Sequence, residues 1–522
     1  MSAMKSKPSK QAANVLMAKT KPAEAVSLHT QYQLALSFHQ QGRWQDAAIL
    51  YDSIIAAQAA HSDAWHMRGL LDAQAGEHAQ AVKRISQAIT LDNTKSAYFN
   101  NRGLAFLGQQ SFIEALADFQ QAIALEPSLA QAHCNLGNVL QELLRFEAAL
   151  ICFDRAIALQ PDYADAYFNR GNLYAAMLDI PQACANYDQA LALNPDDVDV
   201  KFSKGNALLL AGEYIIGWHL YDLGCMKLML KEYKDHSALF ASSDQPLRGL
   251  TFLLQADQGL GDTLQFIRYA PVVHALGARV IAEVQAPLLS LLNGMTGVDA
   301  WIKKGDALPP HDHRCQLMSL PHFLKTTLDN IPPCPVLHVD DAKQQYWAEK
   351  LGIKSKPRLG LVWNGGPKYR SQLMREMNER RNLPLQHLKA LVGIDVEFIS
   401  LQKGEPAESE FRQAVAAGWD GPLIHDHVHE LKDFSDTAAL VMNLDLVIAV
   451  DTSTAHLAAS LGKPVWLLNR YDTCWRWLLE REDSPWYPSV RIYRQASWGD
   501  WDGVMQRVRM DLMELASRDA KK

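Results

Sequence analysis

Gly69, Gly103, Gly137, Gly171 and Gly205 stand 34 residues apart along this 522-residue chain. Ala81, Ala115, Ala149 and Ala183 keep the same step, as do Ala88, Ala122, Ala156 and Ala190, and Pro127, Pro161 and Pro195. Phe119, Phe153, Tyr187 and Tyr221 hold aromatic rings in that register. A unit of this length accommodates two short helices, with small residues where they cross and a proline closing the unit. One such unit cannot bury its own apolar face, so successive units must stack on one another. About five clear units run from Gln31 to Asp199, and a sixth, less regular one reaches about Tyr221. The first half of the chain is therefore expected to be an α-solenoid.

That period with those small residues and closing prolines is the signature of the tetratricopeptide repeat. Asn101, Asn135 and Asn169 also step by 34, two residues before a repeat glycine. This places them on successive first helices, the face that lines the concave groove of such a superhelix. A side-chain amide both donates and accepts, so a row of them suits the backbone of an extended peptide. Asparagine is also common at this position in such repeats whatever they bind. The expected divisions are a disordered basic tail (1–26), the repeat array (27–222), and a capping helix and linker (223–248).

Net charge is −7, so no basic field points to nucleic acid or an anionic membrane. No run approaches the roughly 18 apolar residues of a membrane span, and the first 26 residues lack the apolar core of a signal peptide. Seven scattered cysteines form no CxxC pair, which fits a reducing compartment and a cytoplasmic location.

From Leu250 short apolar runs alternate with helical stretches. Expected strands are Thr251–Gln255, Arg279–Val284, Asp299–Ile302 and Gln316–Leu320, then Arg358–Trp363, Val396–Leu401, Leu423–His425, Asp445–Val450 and Val465–Leu468. The alternation predicts two doubly wound α/β domains with parallel sheets, 249–335 and 336–522, with a ligand cleft between them.

Within this half, Val450–Leu468 reads as a strand end, a hydroxyl-rich helix start (Asp451, Thr452, Ser453, Thr454), a helix through Leu461 and a further strand. Such a helix N-terminus suits an anion, because its first N–H groups lack intrahelical partners. Gly259-Leu260-Gly261-Asp262 follows the first strand and precedes a helix expected over Leu264–Ala270. Asp262 there suits a general base facing the cleft, or simply a helix cap. Asp500-Trp501-Asp502 spells DxD but lies beyond the last expected strand. His425, His427 and His429 alternate, which on a strand would put all three on one face; a solvated strand end is the simpler expectation than a metal site.

Four stretches carry a resemblance: QADQGLGDTLQFIRYAP; RLGLVWNGG followed by RRNLPL; DFSDTAALVMNLDLVIAVDTSTAHLAASLGKPVWLL; and RWLLEREDSPWYPSVRIYR. Together they resemble bacterial tetratricopeptide-linked glycosyltransferases, whose catalytic half is similar to the ADP-heptose–lipopolysaccharide heptosyltransferase family of GT-B fold. The resemblance covers roughly Leu250–Val508. It implies that Asp262 is the catalytic base, and that Asp451 and Thr452 hold the donor sugar and diphosphate. Ser453 stands where the family usually carries glycine. Thr454 and Gly261 fall in the matching donor turns, and His456 matches a histidine near the diphosphate. Arg381, with Arg380 as substitute, is implied as the cation for the leaving diphosphate. Gln402 and Lys403 fall in the region that contacts the nucleoside. The co-substrate implied is a nucleotide-diphospho-sugar, with no metal or other cofactor.

Three readings follow. The first is an inverting glycosyltransferase whose repeats recruit a polypeptide, in layout similar to the O-linked N-acetylglucosamine transferases. The second keeps the enzyme but makes the acceptor a glycan or lipid-linked saccharide. The third is a non-catalytic scaffold with a degenerate GT-B half.

Overall fold

A computed structural model describes residues 27–229, 236–240, 247–256, 259–366 and 378–519. The expected tail and parts of the expected linker lie outside these residues. The chain divides into two compact units between Asp196 and Asp197.

The described part of the first unit holds ten helices: α1 (Leu28–Gln40), α2 (Trp44–Ala57), α3 (Ser62–Gln74), α4 (His78–Leu91), α5 (Ser96–Gly108), α6 (Phe112–Leu125), α7 (Ala130–Glu142), α8 (Phe146–Leu159), α9 (Ala164–Ala176) and α10 (Ile180–Leu193). The periodic glycines explain how each pair closes. A Cβ at Gly103 would stand 2.7 Å from the Phe119 ring, one at Gly137 2.6 Å from Phe153, and one at Gly171 2.7 Å from Tyr187. The first helix of a pair thus gives up its side chain where the second inserts a ring. Phe119 and Phe153 are fully buried by that exchange, as are Ala81, Ala115, Ala149 and Ala183, each ring contributing a large apolar area. Glu126, Gln160 and Asn194 end their helices in extended backbone, with φ near −140°, −137° and −135°. Each precedes a repeat proline, which disfavours the helical region for the residue before it. The 34-residue period is read here in three dimensions.

The sixth pair, α11 (Val198–Leu210) and α12 (Tyr214–Met229), keeps the period but belongs to the second unit. Gly205 lies against the backbone of Tyr221, where a Cβ would meet the amide nitrogen at 2.5 Å. The capping helix expected from residue 223 is thus the last two turns of α12. Tyr214, Trp218 and Tyr221 of α12 pack into an aromatic cluster with Phe266, Trp475 and Trp486, and Trp486 Nε1 donates to the Tyr214 hydroxyl at 3.1 Å. Repeat chemistry and sheet chemistry meet in one core.

The rest of the second unit carries two all-parallel sheets. The first has β1 (Thr251–Gln255), β2 (Arg279–Val284), β3 (Ala300–Lys303) and β4 (His313–Gln316), in the order β3-β2-β1-β4. The second has β5 (Arg358–Val362), β6 (Glu397–Ser400), β7 (Ile424–His425), β8 (Leu446–Val450), β9 (Val465–Asn469) and β10 (Val490–Arg494), ordered β10-β9-β8-β5-β6-β7. Helices between strands include α13 (Leu260–Phe266), α14 (Ala286–Leu292), α15 (Asp341–Leu351), α16 (Ala407–Ala416), α17 (Phe434–Met442) and α18 (Ser453–Ser460), with α19 (Trp501–Asp519) at the end. β5 and β8 are wholly buried, as their continuous apolar runs require in a parallel sheet.

Most strands lie within a residue or two of expectation, and four readings need correction. β4 is His313–Gln316 rather than Gln316–Leu320: His313 pairs with Phe252, and the apolar residues after Gln316 are buried as helical turns instead. β10 was not foreseen. α13 begins at Leu260, so Asp262 sits inside its first turn and not before it. β7 ends at His425 and Val428–Glu430 is a 3-10 turn, so His425, His427 and His429 do not share a strand face.

Candidate functional site

In an open parallel sheet, ligands favour the carboxyl ends of strands where the order reverses. In the six-stranded sheet that reversal falls between β5 and β8, and in the four-stranded sheet between β1 and β4. The segments leaving β1 and β8 are the two that sequence reasoning singled out. They meet through their helices: a Cβ at Gly261 would stand 2.8 Å from His456 Cδ2 and 3.4 Å from the Ser453 Cα. Gly261 therefore serves the approach of α13 to α18.

Thr452 is the N-cap of α18, its hydroxyl accepting from the Ala455 amide at 3.4 Å. Ser453 and Thr454 are half-buried on the first turn. Asp451 precedes the cap, with His456 Nε2 at 3.5 Å from its Oδ1. The other ring nitrogen of His456 lies 3.0 Å from the Tyr487 hydroxyl, and the ring stacks on Trp477. Burial alone would raise the Asp451 carboxyl. The contact and charge of His456, with the Arg381 and Arg476 guanidinium groups, instead hold it well below the usual carboxylate range. A carboxylate, a buried imidazole, two arginines and a helix N-terminus thus share one field.

Asp262 has both oxygens engaged. Oδ2 accepts from the Gly259 amide at 2.8 Å as the third-position partner of a capping box. Oδ1 accepts from Arg476 Nη2. The Oδ2 bond is that of the cap reading.

Arg381 lies across Gly365, where a Cβ would run into its guanidinium, and Nη2 donates to the Gly365 carbonyl at 3.3 Å and to Asn378 Oδ1. This holds it beside the carboxyl end of β5. Arg380 points elsewhere, to Asp472 at 3.5 Å and over the Trp498 ring. Gln402 is buried and faces inward: its Oε1 accepts from the Trp363 and Asn364 amides at 3.0 and 2.7 Å, and its Nε2 donates to the Asn364 carbonyl at 3.0 Å. It shapes the loop after β5. Lys403, next to it, is exposed. Residues 367–377, within the second quoted stretch, lie outside the described residues, as does Gln258.

In the solenoid the three asparagines follow one pattern. Asn101 Nδ2 lies 2.9 Å from His66 Nε2, Asn135 Nδ2 donates to Asn100 Oδ1 at 3.0 Å, and Asn169 Nδ2 donates to Cys134 Sγ at 3.5 Å. Each partner is 35 residues back, in the preceding repeat. The amides therefore link neighbouring repeats with the same groups that a peptide backbone would need.

Among the described residues no group of three or more His, Cys, Asp or Glu side chains is placed to hold a metal ion. Asp500 caps α19, accepting from the Gly503 amide at 2.9 Å, and Asp502 meets His387 at 2.9 Å. Among the described residues no helix is long and apolar enough to cross a membrane.

Sequence reasoning missed Arg476. Its Nε donates to Gln265 Oε1 at 2.7 Å, its Nη1 to Cys474 Sγ at 3.1 Å, and it lies 4.2 Å over Trp475. It missed Arg268 too, which is 2% exposed and donates to the carbonyls of Gln265, Trp486 and Pro332. Each stood within a quoted stretch, and the flanking tryptophans of Arg476 were the available signal.

Family models described as tetratricopeptide repeat match residues 32–96, 130–163 and 164–197, and one described as TPR repeat matches 109–143. Tetratricopeptide repeats are thus present. Protein FlbA of Caulobacter vibrioides (strain ATCC 19089 / CIP 103742 / CB 15) is 27% identical over 350 residues, covering 59% of this chain and 54% of FlbA. The chain spans about half the length of this curated relative. Two solved structures are similar in part. PilW, a widely conserved type IV pilus biogenesis factor, is 17% identical, covering 39% of this chain and 94% of PilW with a TM-score of 0.36. TTC0263, a thermophilic TPR protein in Thermus thermophilus, is 20% identical, covering 35% of this chain and all of its own, with a TM-score of 0.32.

Proposed function

We propose that the second unit is a GT-B-type glycosyltransferase that moves a sugar from a nucleotide-diphospho-sugar to an acceptor, with the repeats recruiting a polypeptide acceptor. The observation that carries this reading is the meeting of Asp262 on α13 with the N-terminus of α18, flanked by Asp451, Arg381 and Arg476. In an inverting transfer the acceptor oxygen attacks the anomeric carbon while the bond to the diphosphate breaks on the opposite face. The hydroxyl proton passes to the Asp262 carboxylate, and the nucleoside diphosphate leaves with the bonding pair. The barrier then depends on charge developing on the leaving oxygens, which preorganised cations and backbone N–H groups stabilise. Arg381, Arg476 and the first turn of α18 are groups of that kind. Solenoids of this class offer an extended concave surface for a partner chain, which supports the polypeptide part of the proposal.

One observation favours a second reading, a non-catalytic scaffold. Both Asp262 oxygens are already hydrogen-bonded, as a purely structural residue would have them.

The test is a thermal-shift and calorimetry screen of the full chain against ADP-, UDP-, GDP- and dTDP-sugars. The expected result is selective stabilisation by one of them, about 2.7 kcal/mol at a hundredfold excess over Kd, reduced by Arg381→Ala. No stabilisation by any of the four, in a folded sample, moves the conclusion to the scaffold.

A further inference from the structure

A base whose two oxygens are both engaged presents neither to an acceptor hydroxyl. The two engagements of Asp262 are unlike, however. The Oδ2 bond to the Gly259 amide is local and closes the first turn of α13. The Oδ1 bond comes from Arg476, 214 residues away, whose side chain is 11% exposed. Arg476 does not depend on Asp262 for its position. Gln265 fixes its Nε, Cys474 meets its Nη1, and the Trp475 ring supports its face. Only the Nη2 edge meets Asp262; the neighbouring Gly261 lies against His456 and Ser453 of α18, and the Arg476 charge acts on Asp451 just before that helix.

We propose that Arg476 Nη2 serves two alternative acceptors, Asp262 Oδ1 and a phosphate oxygen of a nucleoside diphosphate at the start of α18, so that seating the diphosphate releases Asp262. This rests on the glycosyltransferase reading and deepens it: Arg476 becomes the positioning residue that couples donor binding to exposure of the base. A guanidinium presents several donors in a planar fork and binds carboxylate and phosphate alike, so the exchange replaces one charge-assisted hydrogen bond with another. Few charges need move, because Gln265 and Trp475 keep the guanidinium in place. Asp451 remains in the same field, and the charges of both Arg381 and Arg476 act on it. Coupling of this kind is reciprocal: whatever weakens the hold of Asp262 on Arg476 must strengthen the diphosphate's hold.

Reciprocity supplies the test. ADP, UDP, GDP and dTDP are titrated calorimetrically into the full chain, and the tightest is carried into Asp262→Asn, Arg476→Ala and the double variant. Arg476→Ala weakens binding on the order of 10- to 100-fold, the range for a charge-assisted hydrogen bond. Asp262→Asn tightens binding about tenfold, because a neutral amide competes poorly for Nη2. In the Arg476→Ala background Asp262→Asn changes nothing, since the competition has been removed. Tightening of the same size in both backgrounds would mean simple relief of charge repulsion and would overturn the proposal, as would no tightening at all. Arg476→Lys, which keeps the charge and loses the fork, takes the place of Arg476→Ala in the cycle if the alanine variant does not fold. Absence of binding by all four diphosphates to the unmodified protein sinks the glycosyltransferase reading itself, an outcome distinct from failure of the cycle.

Discussion

The solenoid and the sheet-bearing unit use polar side chains in opposite ways. In the solenoid several polar bonds repeat at a fixed step. Arg102 reaches Asp118 and Ser86, each 16 residues away, and Arg170 reaches Asn186 and Asp154 over the same step. The asparagine amides reach 35 residues back each time. Polar groups there hold one repeat in register with the next. In the second unit Arg476 meets Gln265 across 211 residues and Arg268 meets Trp486 across 218. Those bonds join the helical segment after β1 to the segment between β9 and β10. Short, repeated bonds fix the register of an array; long, singular bonds fix one place in a fold.

If that contrast is sound, the most costly polar deletion lies in the second unit. Arg268 is buried, donates to three carbonyls, and lies over the rings of Tyr487 and Trp486 at 4.9 and 5.5 Å. Arg268→Ala strands those carbonyls and opens a cavity, for an expected loss of about 4 kcal/mol. Arg102→Ala, with its side chain 20% exposed, takes the guanidinium from the Asp118 carboxylate and is expected to cost about 2 kcal/mol. Hydrogen exchange measured helix by helix checks both: Arg268→Ala should lower protection in the sheets and leave α1 to α10 unchanged. Equal losses in the two units would erase the distinction.

The close-approach glycines divide the units in the same way. Gly137→Ala drives a methyl into the Phe153 ring, and overpacking of this kind costs about 2 kcal/mol even after the gain in helix propensity. Phe153→Leu in the same chain should restore most of it, which denaturant unfolding would show. Gly261→Ala meets the buried ring of His456 at 2.8 Å, so it should cost a similar amount and, at the proposed donor site, weaken nucleotide binding as well.

Legibility followed that same line. The repeats were read from Gly69 to Gly205 because a period needs no knowledge of the fold, and the glycine-to-ring contacts recur at one spacing. The strands of the second unit were legible where they are apolar throughout, as in β5 and β8. β4 was misplaced because its residues, HRCQ, are polar, and their partner strand decides their state. β10 buries Val490, Ile492 and Tyr493 and exposes Arg491, which in five residues is neither a continuous apolar run nor a clean alternation. Asp262, Asp451 and Thr452 were singled out because each follows a strand. Arg476 was not, because its meaning depends on which strand ends lie side by side, and that order is absent from any local pattern.

Within the solenoid the register bonds are not all equal, and His66 is the weak one. Burial holds its imidazole down at about 4, from an ordinary 6.5, and its neutral Nε2 accepts from Asn101. Between those two values the unfolded chain binds a proton that the folded chain does not. Stability therefore falls as pH drops through that window, by about 1.4 kcal/mol for each unit. His66→Asn, which copies Asn100 one repeat later, should flatten this dependence. Unfolding midpoints of the two proteins at pH 7 and pH 5.5 provide the comparison, and parallel curves would remove His66 from the account.

The smallest effect discriminates most finely between the two uses of an amide. If Asn135 is a register bond, Asn135→Ala should destabilise the array by about 1 kcal/mol, the net value of a hydrogen bond. Asn100→Ala removes the same bond together with its own donation to Asn101 Oδ1, so it should cost more, and the double variant should lose little more than Asn100→Ala alone. If Asn135 instead serves only a bound peptide, Asn135→Ala lowers only peptide affinity, and the two substitutions behave independently. The geometry favours a combination with a definite order. One Nδ2 hydrogen is committed to Asn100, and the amide carries a second hydrogen and a carbonyl oxygen with which to meet a peptide backbone. A peptide bound through those groups leaves the register intact, so its affinity and the stability of the array fall separately, whereas one that captures the hydrogen donated to Asn100 must loosen the array as it binds. Hydrogen exchange of α5 and α7 with and without a bound peptide separates the two: protection that rises means the register bond is kept, and protection that falls means the register has been spent on the ligand.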